Sequence, residues 1–297
     1  PTTMHWASGF WGRALSLRNC GAVLALLSVL GACHRDEPAP VAHPHYELGA
    51  AWHGTQGWFY PGEQFDYRMT GLATRQNAPA SGLTADGEIW SAEGMTGAHQ
   101  TLQLPAIVSV RNLLNGRIVR IRLTDRGPQG QGRSIALSPK AADLLGMTAD
   151  TPVEVMEDEV ASRTLAEGLG GRPAAQSISA APVGEVRETS LSDGSSHVYG
   201  NDSSAAATSV AVGPLPVTWM QGSPGPAGLY VLMGIFSGHA AAAGVALRCN
   251  GTVLHASEGA GLEWRVLGGP FADIAQADAA LDHTRLCGVE GARIIVE

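Results

Sequence analysis

Basic residues, aromatics and cysteines are all scarce in this 297-residue sequence. Lys and Arg number 19 against 27 Asp and Glu, a formal net charge of −8. Nucleic acid and anionic lipid surfaces are bound through basic patches, so this balance argues against either as a partner. Long apolar runs are also missing. Residues 21–30 (GAVLALLSVL) form one short run, below the roughly 20 residues that span a bilayer, which excludes a multi-pass membrane protein. The 38 glycines follow no three-residue period, which excludes collagen. There is no CxxC, no HExxH and no clustered His, so no metal site is predicted. No Gly-rich phosphate loop follows a strand, and no Ser or Cys triad is evident, so no cofactor is expected. At roughly 150 residues per domain, the length allows about two domains.

The N-terminal segment reads as targeting rather than fold. Arg13 and Arg18 give a positive start, residues 21–30 an apolar centre, and Leu30-Gly31-Ala32-Cys33 resembles a bacterial lipobox. Residues 1–32 then form a lipoprotein signal peptide, and Cys33 takes the lipid. The alternative is an ordinary secretory signal with a chance Cys. A lipid anchor implies an exported protein tethered at a membrane surface and facing the periplasm. Cys20 leaves with the signal and Cys33 is lipidated, which leaves Cys249 and Cys287 to pair in an oxidising compartment. Two separate thiols are the alternative.

Residues 33–46 are a polar, Pro-containing tether, and residues 47–157 carry the densest periodic pattern. Residues 158–226 are rich in Ala, Gly, Ser and Pro and read as a flexible linker. Order returns over residues 227–297. In the first domain, residues 107–111 (IVSVR) and 118–123 (IVRIRL) alternate around Asn115-Gly116, a strong hairpin signal. Ser138, Pro139 and Gly146 mark the N-cap, first position and end of a short helix. Short strands with one helix suggest a small β-barrel. The last segment reads βαββαβ, which fits a ferredoxin-like fold, with its second helix from Phe271 to Leu286.

Three polar residues of the first domain sit where strands meet turns: Glu88 after Asp86-Gly87, His99, and Asp125 before Arg126-Gly127-Pro128. Such places often carry function. Their types suit glycoside cleavage, in which one carboxylic acid protonates the glycosidic oxygen and a second group stabilises an oxocarbenium-like transition state. Taken singly, each has an ordinary reading. A Glu in a turn is normally solvated, a lone His is more often structural, and an Asp before Arg-Gly-Pro caps its turn.

LTADGEIW, GAHQTLQLP, VRNLLNGRIVRIRLTDRGP and ALSPKAADLLG occur in order over residues 83–147. Together they resemble the rare lipoprotein A family. The C-terminal segment resembles a sporulation-related (SPOR) repeat through Tyr230-Val231, Gly234, Phe236-Ser237, Arg265-Val266 and Gly269-Pro270-Phe271. The resemblance implies a six-stranded double-psi β-barrel joined by a disordered linker to a ferredoxin-like domain. It also implies a septal lytic transglycosylase acting on peptidoglycan glycan strands stripped of stem peptides. Glu88, Asp125 and His99 would be catalytic, Arg126 and Arg133 would hold glycan or carboxylates, and Tyr230 and Trp264 would contact sugar. Division proteins would be further partners. The rival readings are an expansin-type wall-binding protein without catalysis and a septal scaffold. Three departures stand out. An added aromatic stretch, Trp58-Phe59-Tyr60-Pro61, precedes the barrel. Ala136 replaces the Asp of the family's Ile-Asp-Leu-Ser. Leu232 and Leu267 stand where the repeat usually has Gln and Arg.

Overall fold

The computed structural model describes residues 39–55, 57–130, 132–171, 188–189, 196–197, 212–226, 228–256 and 263–297. The signal-peptide and lipidation readings, Cys20 and Cys33 included, fall outside the described residues.

A small hairpin, β1 (Trp52–Gly54) with β2 (Gly57–Phe59), precedes the barrel. The barrel consists of β3 (Arg68–Arg75), β4 (Thr96–His99), β5 (Ala106–Asn112), β6 (Arg117–Arg126), β7 (Arg133–Leu137) and β8 (Thr151–Glu157). They run β6-β4-β7-β3-β8-β5, and β5 pairs back with β6 to close the ring. Two pairs, β4 with β6 and β3 with β7, are parallel, while the others are antiparallel. Two parallel crossings in a closed six-stranded ring make a double-psi barrel.

The expected alternation fills this barrel. Val119, Ile121 and Leu123 of β6 point inward and are fully buried, as are Val108 and Val110 of β5. The β5–β6 hairpin turns at Asn115-Gly116, with Gly116 at φ 78, a conformation that glycine adopts without a Cβ penalty. Helix α1 (Pro139–Leu145) starts from Ser138, whose hydroxyl accepts from Ala141 N. It ends at Gly146 in the left-handed region, φ 75.

The stretch expected to be a flexible linker is ordered at both ends. Helix α2 (Glu159–Gly168) follows β8 directly, capped by Asp158. It docks through small residues: Ser162 is fully buried and its hydroxyl accepts from Ile107 N at 2.9 Å. After two short paired strands, β9 (Glu188–Thr189) and β10 (Ser196–His197), residues 212–226 return to the barrel as a strap. Its strand β11 (Trp219–Gln221) pairs antiparallel with β6. Gly222 N donates to Gly116 O at 2.9 Å, Gly225 N donates to Leu113 O at 2.9 Å, and Arg117 stacks over the Trp219 ring at 4.6 Å. These contacts are largely main-chain, so a composition poor in apolar residues does not preclude them.

The C-terminal domain is β12 (Leu229–Phe236), α3 (His239–Cys249), β13 (Thr252–Ala256), β14 (Glu263–Phe271), α4 (Ile274–Leu286) and β15 (Arg293–Val296). Its antiparallel sheet runs β13-β14-β12-β15, the ferredoxin-like order. The second helix starts three residues later than expected, because β14 continues through Phe271 and Asp273 caps the helix through Gln276 N. Cys249 and Cys287 are joined in a disulfide with Cα atoms 5.8 Å apart, tying the ends of α3 and α4 together. Reduction is expected to destabilise this domain by about 2–4 kcal/mol. Urea unfolding followed with and without reductant checks this, and coincident curves would contradict it.

The C-terminal domain meets the barrel along β3. Val296 N donates to Thr70 Oγ1 at 3.1 Å, and Arg133 bridges Asp150 at 2.6 Å and Asp278 of α4 at 2.5 Å.

Candidate active site

The turn after Leu83 carries two of the acidic side chains. Asp86-Gly87 bends it, with Gly87 at φ 81. The turn packs under the N-terminal segment, where His43 N donates to Gly87 O at 2.8 Å. Glu88 does not project into solvent as a loop edge suggests. Its Oε2 lies 2.6 Å from Arg122 Nη2, and the two side chains are only 13% and 7% exposed. Arg122 Nη1 also donates to Gly213 O of the strap at 2.9 Å.

Asp125 closes β6 beside a bulge in its pairing with β4. Its Oδ1 accepts from Ala85 N at 3.2 Å and Arg126 N at 2.9 Å, and its Oδ2 accepts from Gln76 Nε2 at 3.1 Å. Burial pushes its carboxyl pKa up, against these three donors, which favour the carboxylate. It lines a cleft of about 520 Å³, together with Thr74, Gln76, Gly127, Pro128 and Ala136.

No hydrogen bond joins Glu88 to Asp125 among the described residues. Asp86, which by sequence is only a turn residue, links their surroundings. It is fully buried. Its Oδ1 accepts from Thr84 Oγ1 at 2.7 Å and Glu88 N at 3.2 Å, and its own N–H donates to Thr124 O at 3.1 Å. Gln76 Oε1, Asp86 Oδ2, Glu88 Oε1 and Thr124 Oγ1 are all buried without a hydrogen-bond partner. Unsatisfied buried polar atoms are uncommon in folded proteins, so four of them around one turn set this region apart from the rest of the barrel.

Burial, followed by the nearby charge of Glu88, pushes Asp86 up from 3.8 to about 7. An acid raised in this way holds its proton more tightly in the folded state. Its contribution to stability is present below the unfolded value and is lost as pH rises through about 7. Asp86→Asn is therefore expected to match the parent near pH 4 and to be more stable by on the order of 2 kcal/mol near pH 8. Urea unfolding at both pH values checks this. A difference that does not change with pH would contradict it.

His99 is brought to the other side of β4. It is 3% exposed. Its Nδ1 accepts from Thr101 N at 3.2 Å and Leu102 N at 3.1 Å, which leaves the proton on Nε2 to be donated to Tyr67 Oη at 3.0 Å. Burial, with Arg126 adding to it, lowers its pKa to about 3. Both ring nitrogens of His99 are thus engaged within the fold.

Residues 55–156 match the family model described as lytic transglycolase. Several curated relatives carry the name endolytic peptidoglycan transglycosylase RlpA. The Escherichia coli K12 protein is 42% identical over 90 residues, 30% of this chain and 25% of the relative. The Yersinia pestis protein is 35% identical over 151 residues, 43% of this chain and 42% of the relative. The Pseudomonas aeruginosa PAO1 protein is 42% identical over 107 residues, 35% of this chain and 29% of the relative. The barrel belongs to the RlpA family. The chain spans between a quarter and under half of the length of these relatives.

The other residues singled out from the sequence take different places in this chain. Arg126 is committed to main-chain carbonyls. It donates to Leu102 O, and to Leu48 O at 2.7 Å, so it holds the N-terminal segment against the barrel. Arg133 is committed to Asp150 and Asp278. Ala136, where the RlpA pattern has Asp, lines the same cleft as Asp125 and pairs with Ala98. In the C-terminal domain, Tyr230 packs against Leu232, Leu267 and Ile295. The two leucines that depart from the repeat pattern are therefore apolar packing. Trp264 is flanked edge-on by His239 at 4.7 Å and His255 at 5.1 Å. Among the described residues, no group of three His, Cys, Asp or Glu side chains is placed to hold a metal. No described helix is long and apolar enough to cross a membrane.

Proposed function

We propose that this chain is an endolytic lytic transglycosylase of peptidoglycan that cuts glycan strands stripped of stem peptides. The observation that carries the reading is Asp125. It is a carboxyl group with a raised pKa on the floor of an open cleft, inside a barrel of the RlpA family. The raised pKa favours the protonated form needed to start glycoside cleavage. Asp125 gives its proton to the glycosidic oxygen as the muramyl C1–O bond breaks. The muramyl C6 hydroxyl attacks C1, and its proton returns to the Asp125 carboxylate. No water is consumed, and the strand ends in a 1,6-anhydromuramyl residue. Asp86 and the Arg122-bound Glu88 hold the turn that donates Ala85 N–H to Asp125. In this reading Glu88 positions the site and Asp125 performs the proton transfer.

The finer assignment follows the sequence. Residues 1–32 are a signal peptide, Cys33 carries the lipid, and the protein faces the periplasm from the outer or cell membrane. The C-terminal domain, with Tyr230 and Trp264, holds denuded strands at the division septum, where division proteins are further partners. Tethering a strand-binding domain to the barrel raises the local concentration of strands.

A second reading is favoured by one observation. Ala136 removes a carboxylate from the Asp125 cleft, which suits a wall-binding protein of expansin type without catalysis. The test is incubation of the full chain in detergent with amidase-treated sacculi, followed by mass spectrometry. Anhydromuramyl products support the transglycosylase. Binding without products leaves the second reading.

A further inference from the structure

A second cleft, of about 600 Å³, opens between the barrel and the C-terminal domain. That size lies within the range of small-ligand sites. One wall is the β1–β2 hairpin, whose Trp58 and Tyr60 are 59% and 71% exposed. Trp52 and Phe59 stack at 4.6 Å to stiffen this hairpin. The cleft is also lined by Arg285, in the last turn of α4, by Arg293, at the start of β15, and by the loop between them. Arg285 Nη2 reaches Ala292 O at 3.5 Å, which sets its guanidinium one residue from Arg293. Arg285 Nε and Nη1 are buried without a partner. Among the described residues, neither arginine has a carboxylate within ion-pair distance. Glu290 also lines this cleft, but it is exposed.

Two arginines that line one cleft, neither in an ion pair among the described residues although Asp282 lies near Arg285, together with two exposed aromatic rings, form a site for a carboxylate carried on a sugar. Arg matches carboxylate geometry through paired N–H donors, and aromatic faces pack on the apolar side of sugar rings. Taking peptidoglycan as the substrate, as proposed above, denuded strands carry one group that peptide-bearing strands lack. When the stem peptide is hydrolysed away, the muramyl lactyl group changes from a neutral amide to a free carboxylate. The geometry points to this cleft as a subsite that selects denuded strands by their lactyl carboxylate, through Arg285 and Arg293, with Trp58 and Tyr60 stacking on the adjoining sugar.

The test is calorimetric binding by the full chain in detergent. The probes are a denuded muramyl tetrasaccharide, the same glycan with its lactyl carboxylates capped as methylamides, and chitotetraose. The free acid is expected to bind at least about tenfold more tightly than the capped glycan and chitotetraose. Arg285→Gln with Arg293→Gln is expected to bring the acid down to the capped level while the capped affinity stays unchanged. Trp58→Ala is expected to weaken the acid and capped glycans alike. Equal binding of acid and capped glycan by the parent would overturn the inference, as would discrimination that persists in the double variant with its circular dichroism unchanged. Anhydromuramyl products are assayed separately. Products without carboxylate discrimination sink this inference alone, whereas discrimination without products upholds it and sinks the catalytic reading.

Discussion

Asn in place of Asp125 is expected to lower the yield of anhydromuramyl products by about 10²- to 10⁴-fold, the range contributed by a positioned general acid–base. The substitution is nearly isosteric. Gln76 Nε2, Ala85 N and Arg126 N all donate to this side chain, so only a donor facing the amide nitrogen is disturbed. Folding is therefore expected to change by about 1 kcal/mol or less, against a loss of several kcal/mol in transition-state stabilisation. Parallel urea unfolding and product assays separate the two. A variant that retains more than about a tenth of the parent rate would take the proton transfer away from Asp125.

Arg122→Ala is expected to destabilise the barrel by about 3–5 kcal/mol. It strands the Glu88 carboxylate at 13% side-chain exposure and removes the donor to Gly213 O. The double variant Arg122→Ala with Glu88→Ala is expected to recover part of the loss, because no charge is then left buried alone. Urea midpoints for the parent, the two single variants and the double variant form the cycle. A loss below about 1 kcal/mol for Arg122→Ala would show that the pair behaves as a solvated surface contact.

Elements with local signals were legible in the sequence. The Asn115-Gly116 hairpin, the Ser138-capped helix and the βαββαβ order each rest on turn chemistry, capping or periodicity within a few residues. Strand β4 was legible only as a strand–turn junction at His99, since Thr96–His99 is four residues with two small ones and is held as a strand by β6 and β7 on either side. The strap was hidden for a similar reason. Residues 212–226 look like linker by composition, and they are held by pairing with β6 and by the Arg117–Trp219 contact. In the site, Glu88, His99 and Asp125 stood out by residue type. Their separation did not, because Glu88 turns to Arg122 while His99 turns to Tyr67. Asp86 was missed because Asp-Gly is a common turn pair. Only its burial, and the approach of Thr124 O to its N–H, distinguish it.

The central claim is that the cleft around Asp125 breaks a glycosidic bond without using water. Digestion of amidase-treated sacculi in water enriched in heavy oxygen, with mass spectrometry of the muramyl ends, tests it most directly. Transglycosylation predicts anhydromuramyl ends with no heavy-oxygen label. Reducing muramyl ends carrying the label would mean hydrolysis and would contradict the account.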